Sequence, residues 1–233
     1  MDAGRVLVNG ALADKVSRQV HAGDAVVLSG PGPRFVSRGG EKLDAALEQF
    51  AIDVVGLRVL DAGASTGGFT DCLLQRGAAA VVALDVGHGQ LHPKIRGDRR
   101  VHVIERVHIR DANVEMIGGL TDMVVADLSF ISLTRVLRSL VGLCTPGGSL
   151  VLLVKPQFEA GRAEVARGRG IVSDPAIHDR VCAEIEVALG EVGCAVGGWI
   201  ASPITGTDGN REFLVHASAG VAAVGGVVEG AAS

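Results

Sequence analysis

One stretch, Val59-Leu60-Asp61-Ala62-Gly63-Ala64-Ser65-Thr66-Gly67-Gly68-Phe69-Thr70, limits the folds open to this chain more than any other. It starts apolar, as a buried strand does, breaks into a glycine-spaced turn, and runs into Asp71-Cys72-Leu73-Leu74, the start of a helix. Gly63, Gly67 and Gly68 let the backbone turn tightly and leave no side chain between it and a ligand. Strand, turn and helix N-terminus together make a nucleotide-type pocket at the carboxyl edge of a parallel sheet. Downstream, Val81-Val82-Ala83-Leu84-Asp85 reads as a second strand ending in an acid, placed to accept hydrogen bonds from both ribose hydroxyls. Gly63-Ala64-Ser65-Thr66-Gly67-Gly68 is not the G-x-G-x-x-G of a dehydrogenase, which weakens that reading.

The rest of the chain alternates strands and helices. Ser37 to Phe50 opens a helix. Val101–Glu105 and Asp122–Asp127 read as strands, Leu133 to Cys144 as a helix, and Ser149 to Val154 as a strand ending in Lys155. Residues 159–172 read as a glycine- and arginine-rich loop. A helix capped by Ser173-Asp174-Pro175 runs to Leu189, and Cys194–Ile200 and Glu212–His216 close the sheet. The order predicts a doubly wound α/β sheet of Rossmann type with helices on both faces. With 233 residues, the chain has room for one ordinary domain and a small appendage. Its core must be aliphatic, since aromatics are 3% and Tyr is absent. No run reaches the roughly 18 uncharged apolar residues of a membrane span, so no membrane partner is expected. Cys72, Cys144, Cys182 and Cys194 show no metal spacing and read as reduced core residues of a cytoplasmic protein, and a monomer is favoured. A net charge of −4 confines any nucleic-acid site to a local patch.

Ahead of that sheet, Arg5-Val6-Leu7-Val8-Asn9-Gly10 is an alternating strand running into a hairpin turn. With Val20-His21-Ala22-Gly23-Asp24 it resembles the second half of an S4 RNA-binding domain, whose two preceding helices have no counterpart before Arg5. The expected divisions are an S4-like segment over 1–29, a linker over 30–36, a catalytic domain over 37–217 and a disordered tail over 218–233.

Four polar strand ends, Asp61, Asp85, Asp127 and Lys155, face one crevice in such a sheet, and Lys42 and Glu212 lie close enough in the pattern to join them. Two lysines and two acids around one alcohol can remove its proton, or can form two structural salt bridges. The ordered set Ser37-Arg38-Gly39-Gly40-Glu41-Lys42, Asp61 to Phe69, Ala126-Asp127-Leu128-Ser129-Phe130-Ile131-Ser132, Val154-Lys155-Pro156-Gln157-Phe158-Glu159 and Gly209-Asn210-Arg211-Glu212-Phe213 resembles the TlyA family, S4-bearing relatives of the FtsJ ribose methyltransferases.

The resemblance implies a Rossmann-like methyltransferase, S-adenosyl-L-methionine as donor, and the 2′-hydroxyl of a cytidine in ribosomal RNA of a ribosomal subunit as acceptor. It maps a catalytic tetrad onto Lys42, Asp127, Lys155 and Glu212. It assigns the donor to Asp61, Gly63, Ser65, Thr66, Gly67, Gly68, Phe69, Asp85 and Val86, and requires no metal. Expected RNA contacts are Arg5, Arg34, Arg38, Arg162, Arg167 and Arg169, with Phe35 as a stacking residue. Where the family often has Gly-Tyr-Gly-Gln-Leu this chain has Gly87-His88-Gly89-Gln90-Leu91, then His92-Pro93. His108 stands where Asn is common, so the departures fall on the donor side. Two other readings remain: a non-catalytic RNA-binding protein that keeps the fold, and a membrane-active haemolysin, which lacks the cationic amphipathic segment it would need.

Overall fold

Alternate residues of a strand face opposite sides of its sheet, so strands apolar at every position call for a sheet covered on both faces. The computed structural model describes residues 6–13, 15, 17–30 and 32–220, and the chain divides into two units, Met1–Arg34 and Phe35–Ser233. In the first, β1 (Val6–Val8) pairs antiparallel with β2 (Ala11–Leu12) and with β3 (Val26–Leu28). Asn9 and Gly10 both take positive φ, 53° and 82°, as the hairpin turn requires. The Asn9 amide donates to Asp24 Oδ1 at 2.8 Å and accepts from the Ala25 N–H at 2.9 Å, which anchors β3.

The second unit runs α1 (Gly39–Gln49), β4 (Arg58–Ala62), α2 (Gly68–Gln75), β5 (Ala80–Asp85), α3 (Pro93–Arg96), β6 (Val101–Glu105) and β7 (Thr121–Ala126). After a 3-10 turn at Leu133–Arg135 come α4 (Leu137–Val141), β8 (Cys144–Val154), α5 (Pro156–Glu159), α6 (Arg162–Arg167), α7 (Pro175–Glu191), β9 (Ala195–Ala201) and β10 (Phe213–Ser218). The strand order is β6-β5-β4-β7-β8-β10-β9, parallel except for β10, which runs antiparallel to both neighbours. This is the doubly wound α/β fold expected. Val59, Val81, Met123, Val125, Val151 and Leu214 pack on one face with α1 and α2. Leu60, Val82, Val124, Leu150, Leu152 and Val215 pack on the other with α4 and α7. The chain steps outward from β4 through β5 to β6, then returns to the other side of β4. The crevice of such a sheet therefore opens between the ends of β4 and β7.

Four expectations change. The helix after Leu133 ends at Val141, and β8 already begins at Cys144 and absorbs Pro146-Gly147-Gly148, with a register shift opposite Thr121 and Met123. The 159–172 loop contains α6, whose Glu164 carboxylate accepts the Gly161 N–H at 3.0 Å and takes Arg180 Nη2 on both of its oxygens, at 2.8 and 2.7 Å. Ser218, expected in the tail, belongs to β10 and pairs with Ser149; residues 221–233 lie outside the described residues. Phe35 and Val36, at the end of the expected linker, are packed into the second unit.

Candidate active site

The glycine turn sits where the sheet topology puts the crevice. Gly63 takes φ 84° and Gly67 φ 95°, both in the region that favours glycine. The N–H groups of Gly63 and Ala64 donate to the Leu84 carbonyl at 2.8 and 3.1 Å, tying the turn to β5. A Cβ built on Gly63 would lie 2.5 Å from the Asp127 carbonyl oxygen, so the backbones after β4 and β7 meet there at glycine distance. Gly68 is equally close to the start of α1: a Cβ there would press on the Ser37 hydroxyl and on the Gly40 N–H. That approach carries Lys42, one turn into α1, to the crevice.

Two cavities meet at Gly63, Ser65 and Asp127. The first, about 250 Å³, is lined by the turn, Phe69, Arg38, Gly206 and Thr207, and by Lys42, Asp127, Lys155 and Glu212. The second, about 300 Å³, is more apolar, with Leu84, Val86, Val107, Ile109, Leu128 and Ile131 around Asp85, Gln90 and His108. The Asp85 carboxylate bridges the loops beside it, accepting from the Ser65 N–H at 2.8 Å and the Gly87 N–H at 2.6 Å. A carboxylate has about four lone-pair positions, so acceptor capacity remains for a ligand.

The four tetrad residues form two ion pairs on the wall of the first cavity. Lys42 Nζ donates to Glu212 Oε2 at 2.5 Å, and Lys155 Nζ lies 2.5 Å from Asp127 Oδ1. Both lysines are buried to 8% exposure, and Glu212 to 2%. Buried ion pairs contribute little net stability, because desolvation offsets attraction. Here the two pairs line one cavity wall. Lys155 also donates to the Ser129 hydroxyl at 2.9 Å.

A groove of about 1190 Å³ continues from the second cavity past Val86, Ser129 and Phe130, lined also by Arg110, Arg135, Arg162, Arg169 and Phe158. Phe130 is 91% exposed with φ 63°, a strained backbone for an aromatic residue, and its ring lies 5.2 Å from that of Phe158. The loop bearing Phe130 is braced by Glu159, whose carboxylate accepts the Ser132 hydroxyl at 2.5 Å and the Leu133 N–H at 2.8 Å.

Not every expected residue arrives at these surfaces. Asp61 is fully buried beneath the turn and lines neither cavity. It accepts the Thr70 hydroxyl at 2.6 Å, and its Oδ1 has no hydrogen-bond partner. Gly67 faces Leu91 and Ile95 instead of a cavity. Phe35 is buried over Gly40, whose missing side chain makes room for the ring, so it stacks on no base. Arg167 turns back to the Ala163 carbonyl, outside the groove, whereas Arg162 and Arg169 line it. Arg38 lines the first cavity and reaches Thr207 Oγ1 at 3.4 Å. Arg34 is exposed in the first unit, and Arg5 lies outside the described residues. His88 is paired with Glu105 at 2.8 Å and lines neither cavity. Ser129, Phe130, Phe158 and Arg135 escaped the sequence reading as site residues. Ser129, Phe130 and Phe158 stand inside quoted motifs, but only the fold shows which of those side chains face outward.

Burial is the main reason the Asp61 carboxyl is pushed up, to about 7; the Thr70 hydroxyl opposes it and the Asp127 carboxylate adds to it. A carboxyl raised in the folded state favours the fold as the neutral acid. That contribution is full below its unfolded value near pH 4 and is lost as the pH rises through about 7, a fall on the order of 4 kcal/mol. Asp61→Asn is expected to abolish this decline. Thermal midpoints across that range should fall for the parent relative to the variant; parallel curves would contradict the assignment.

The FtsJ-like methyltransferase family model matches residues 35–219. The 16S/23S rRNA (cytidine-2′-O)-methyltransferase TlyA of Mycobacterium tuberculosis is 49% identical over 214 residues, covering 91% of this chain and 80% of that protein. A solved protein of Streptococcus thermophilus, named as a hemolysin, is 42% identical with a TM-score of 0.81, covering 94% of this chain and 80% of its own. An S-adenosylmethionine-dependent methyltransferase structure from Mesorhizobium loti shares the fold at 19% identity and TM-score 0.54, over 75% of this chain and 96% of its own.

Proposed function

The chain belongs to the FtsJ-like methyltransferases, in their TlyA branch, and from that premise we propose that it moves a methyl group from S-adenosyl-L-methionine to the 2′-hydroxyl of a cytidine ribose in ribosomal RNA. The observation that carries this reading is the pair of ion pairs, Lys155–Asp127 and Lys42–Glu212, on one cavity wall beside the glycine turn. Structural salt bridges would not need to face a cavity beside the glycine turn, as these do. Among the described residues no helix is long and apolar enough to cross a membrane, and nothing in the site favours the haemolysin reading.

The residues present suit the donor. The apolar second cavity fits an adenine, with Asp85 at its mouth for the ribose hydroxyls, and Gly63, Ser65, Thr66, Gly68 and Phe69 flank the way to the tetrad. Asp61 supports the turn from below. When bound, the donor supplies a methyl group on a sulfonium, already activated for transfer.

The chain's own residues then have two tasks. The first is to hold the acceptor hydroxyl in line, which is worth several kcal/mol. The second is to ease loss of its proton, since a ribose hydroxyl is a very weak acid. Lys155, as an ammonium, orients the hydroxyl and stabilises the negative charge that develops on its oxygen as the proton passes to water. Asp127 orients Lys155, and Lys42 with Glu212 completes the network and seats the ribose.

Arg162 and Arg169 reach RNA phosphate in the groove, with Arg110 and Arg135, and the Phe130 and Phe158 rings offer bases a stacking surface. The S4-like first unit, through Arg5 and Arg34, adds RNA contact. Such contacts make binding strongly salt-dependent.

Asp85→Ala is expected to weaken donor binding about a hundredfold, by removing the ribose acceptor and freeing the Ser65 and Gly87 N–H groups. Calorimetric titration with S-adenosyl-L-methionine tests this. Unchanged affinity in the variant, or no binding by the parent with RNA present, would sink the donor site.

A further inference from the structure

We propose that Ser129 is a positioning residue for methyl transfer: with Asp127 it occupies two of the three N–H bonds of the Lys155 ammonium and leaves the third for the acceptor hydroxyl. The proposal rests on the function proposed above and adds a residue outside the tetrad. An ammonium carries three donors that rotate together about one bond, and nothing in a lysine side chain fixes their direction. One partner sets that rotation loosely; a second holds it, and the nitrogen itself, more firmly. Lys155 Nζ has two, the Asp127 carboxylate as an ion pair at 2.5 Å and the Ser129 hydroxyl as a hydrogen bond at 2.9 Å. Among the described residues no third acceptor stands at Nζ; the Phe158 ring is 5.9 Å away.

The place of Ser129 is itself held from both sides. Asp127, two residues before it, continues β7 and meets Gly63 at backbone contact. Beyond it the chain passes through the strained Phe130, and at Ser132 and Leu133 it is tied to Glu159, four residues after Lys155. The segment carrying Ser129 is thus held to the glycine turn at one end and to the segment carrying Lys155 at the other. Ser129 is exposed and lines both the second cavity and the groove, where donor and RNA would meet. A surface serine that merely satisfied a lysine could be removed without changing the rate.

The test compares the parent with Ser129→Ala and Ser129→Thr, using S-adenosyl-L-methionine and ribosomal RNA. An exposed serine tolerates alanine, so folding is not at stake. The expected result for Ser129→Ala is a kcat about tenfold lower, with donor affinity and RNA KM within about twofold of the parent. Ser129→Thr, which restores the hydroxyl, should recover most of the rate. The proposal is overturned if Ser129→Ala keeps the parent kcat, if Ser129→Thr is as slow as Ser129→Ala, or if the loss falls on donor affinity or KM. A parent chain that transfers no methyl group to any ribosomal RNA would instead bring down the function, and this proposal with it.

Discussion

Replacing Lys155 with alanine is expected to lower methyl transfer about a thousandfold while donor affinity stays within about threefold of the parent. The split follows from where Lys155 stands. It follows β8 on the wall of the first cavity, paired with Asp127, and it does not line the second, to which we assign the nucleoside end of the donor. Removing it takes away the group that orients the acceptor and meets its developing charge. The partner left behind, Asp127, has a side chain 23% exposed, so water can solvate it and the fold survives. Lys155→Arg keeps the charge but spreads it over a planar fork that cannot point one N–H along the lysine's direction, so it should stay strongly impaired. Rates on ribosomal RNA together with calorimetric titration check this. Donor binding lost along with activity would mean that Lys155 holds the donor, and the role given to it would be wrong.

The second large effect is expected at Gly63. An alanine there must hold φ 84°, which costs about 1 kcal/mol, and its Cβ would sit 2.5 Å from the Asp127 carbonyl oxygen. Backbone must move, as in an overpacked core, for a further 1–3 kcal/mol or so. The expected loss is about 3 kcal/mol of stability, with donor binding and transfer falling together because the displaced atoms belong to both cavities. Gly56 is the control. Its φ is 76°, but a Cβ there meets nothing within 4 Å. Gly56→Ala should therefore lose about 1 kcal/mol and leave donor binding unchanged. Denaturant unfolding and donor titration on the two variants separate strain from contact. Equal effects at both positions would show that the close approach at Gly63 has no special weight.

Much of the fold was legible because its signals are local. The strands over 58–62, 80–85, 101–105 and 121–126 are apolar runs bounded by turns, and the acids at their ends follow from the edge at which ligands sit. The helix beginning at Pro175 was legible through Asp174, whose carboxylate accepts the Ala176 N–H as a cap should. The four tetrad positions were marked by motif, but their division into two pairs was not. Lys42 and Glu212 are brought together by the contact of Gly68 with the start of α1 and by the placing of β10 beside β8, both tertiary facts. Phe35 misled because an aromatic beside a proline-rich linker reads as exposed until Gly40 is seen to make room for it. Asp61 misled in the opposite way: an acid at a strand end points either up to the ligand or down to Thr70, and period alone does not choose. The arginine-rich segment after Gly161 read as a loop because its glycines outweighed a capping interaction that depends on Arg180, far along the chain.

The measurement that tests the central claim most directly is nucleoside analysis of ribosomal RNA incubated with the chain and methyl-labelled S-adenosyl-L-methionine, beside Lys155→Ala. The label is expected in 2′-O-methylcytidine with the parent chain and absent with the variant. Label on a base, no label at all, or equal labelling by Lys155→Ala would contradict the account.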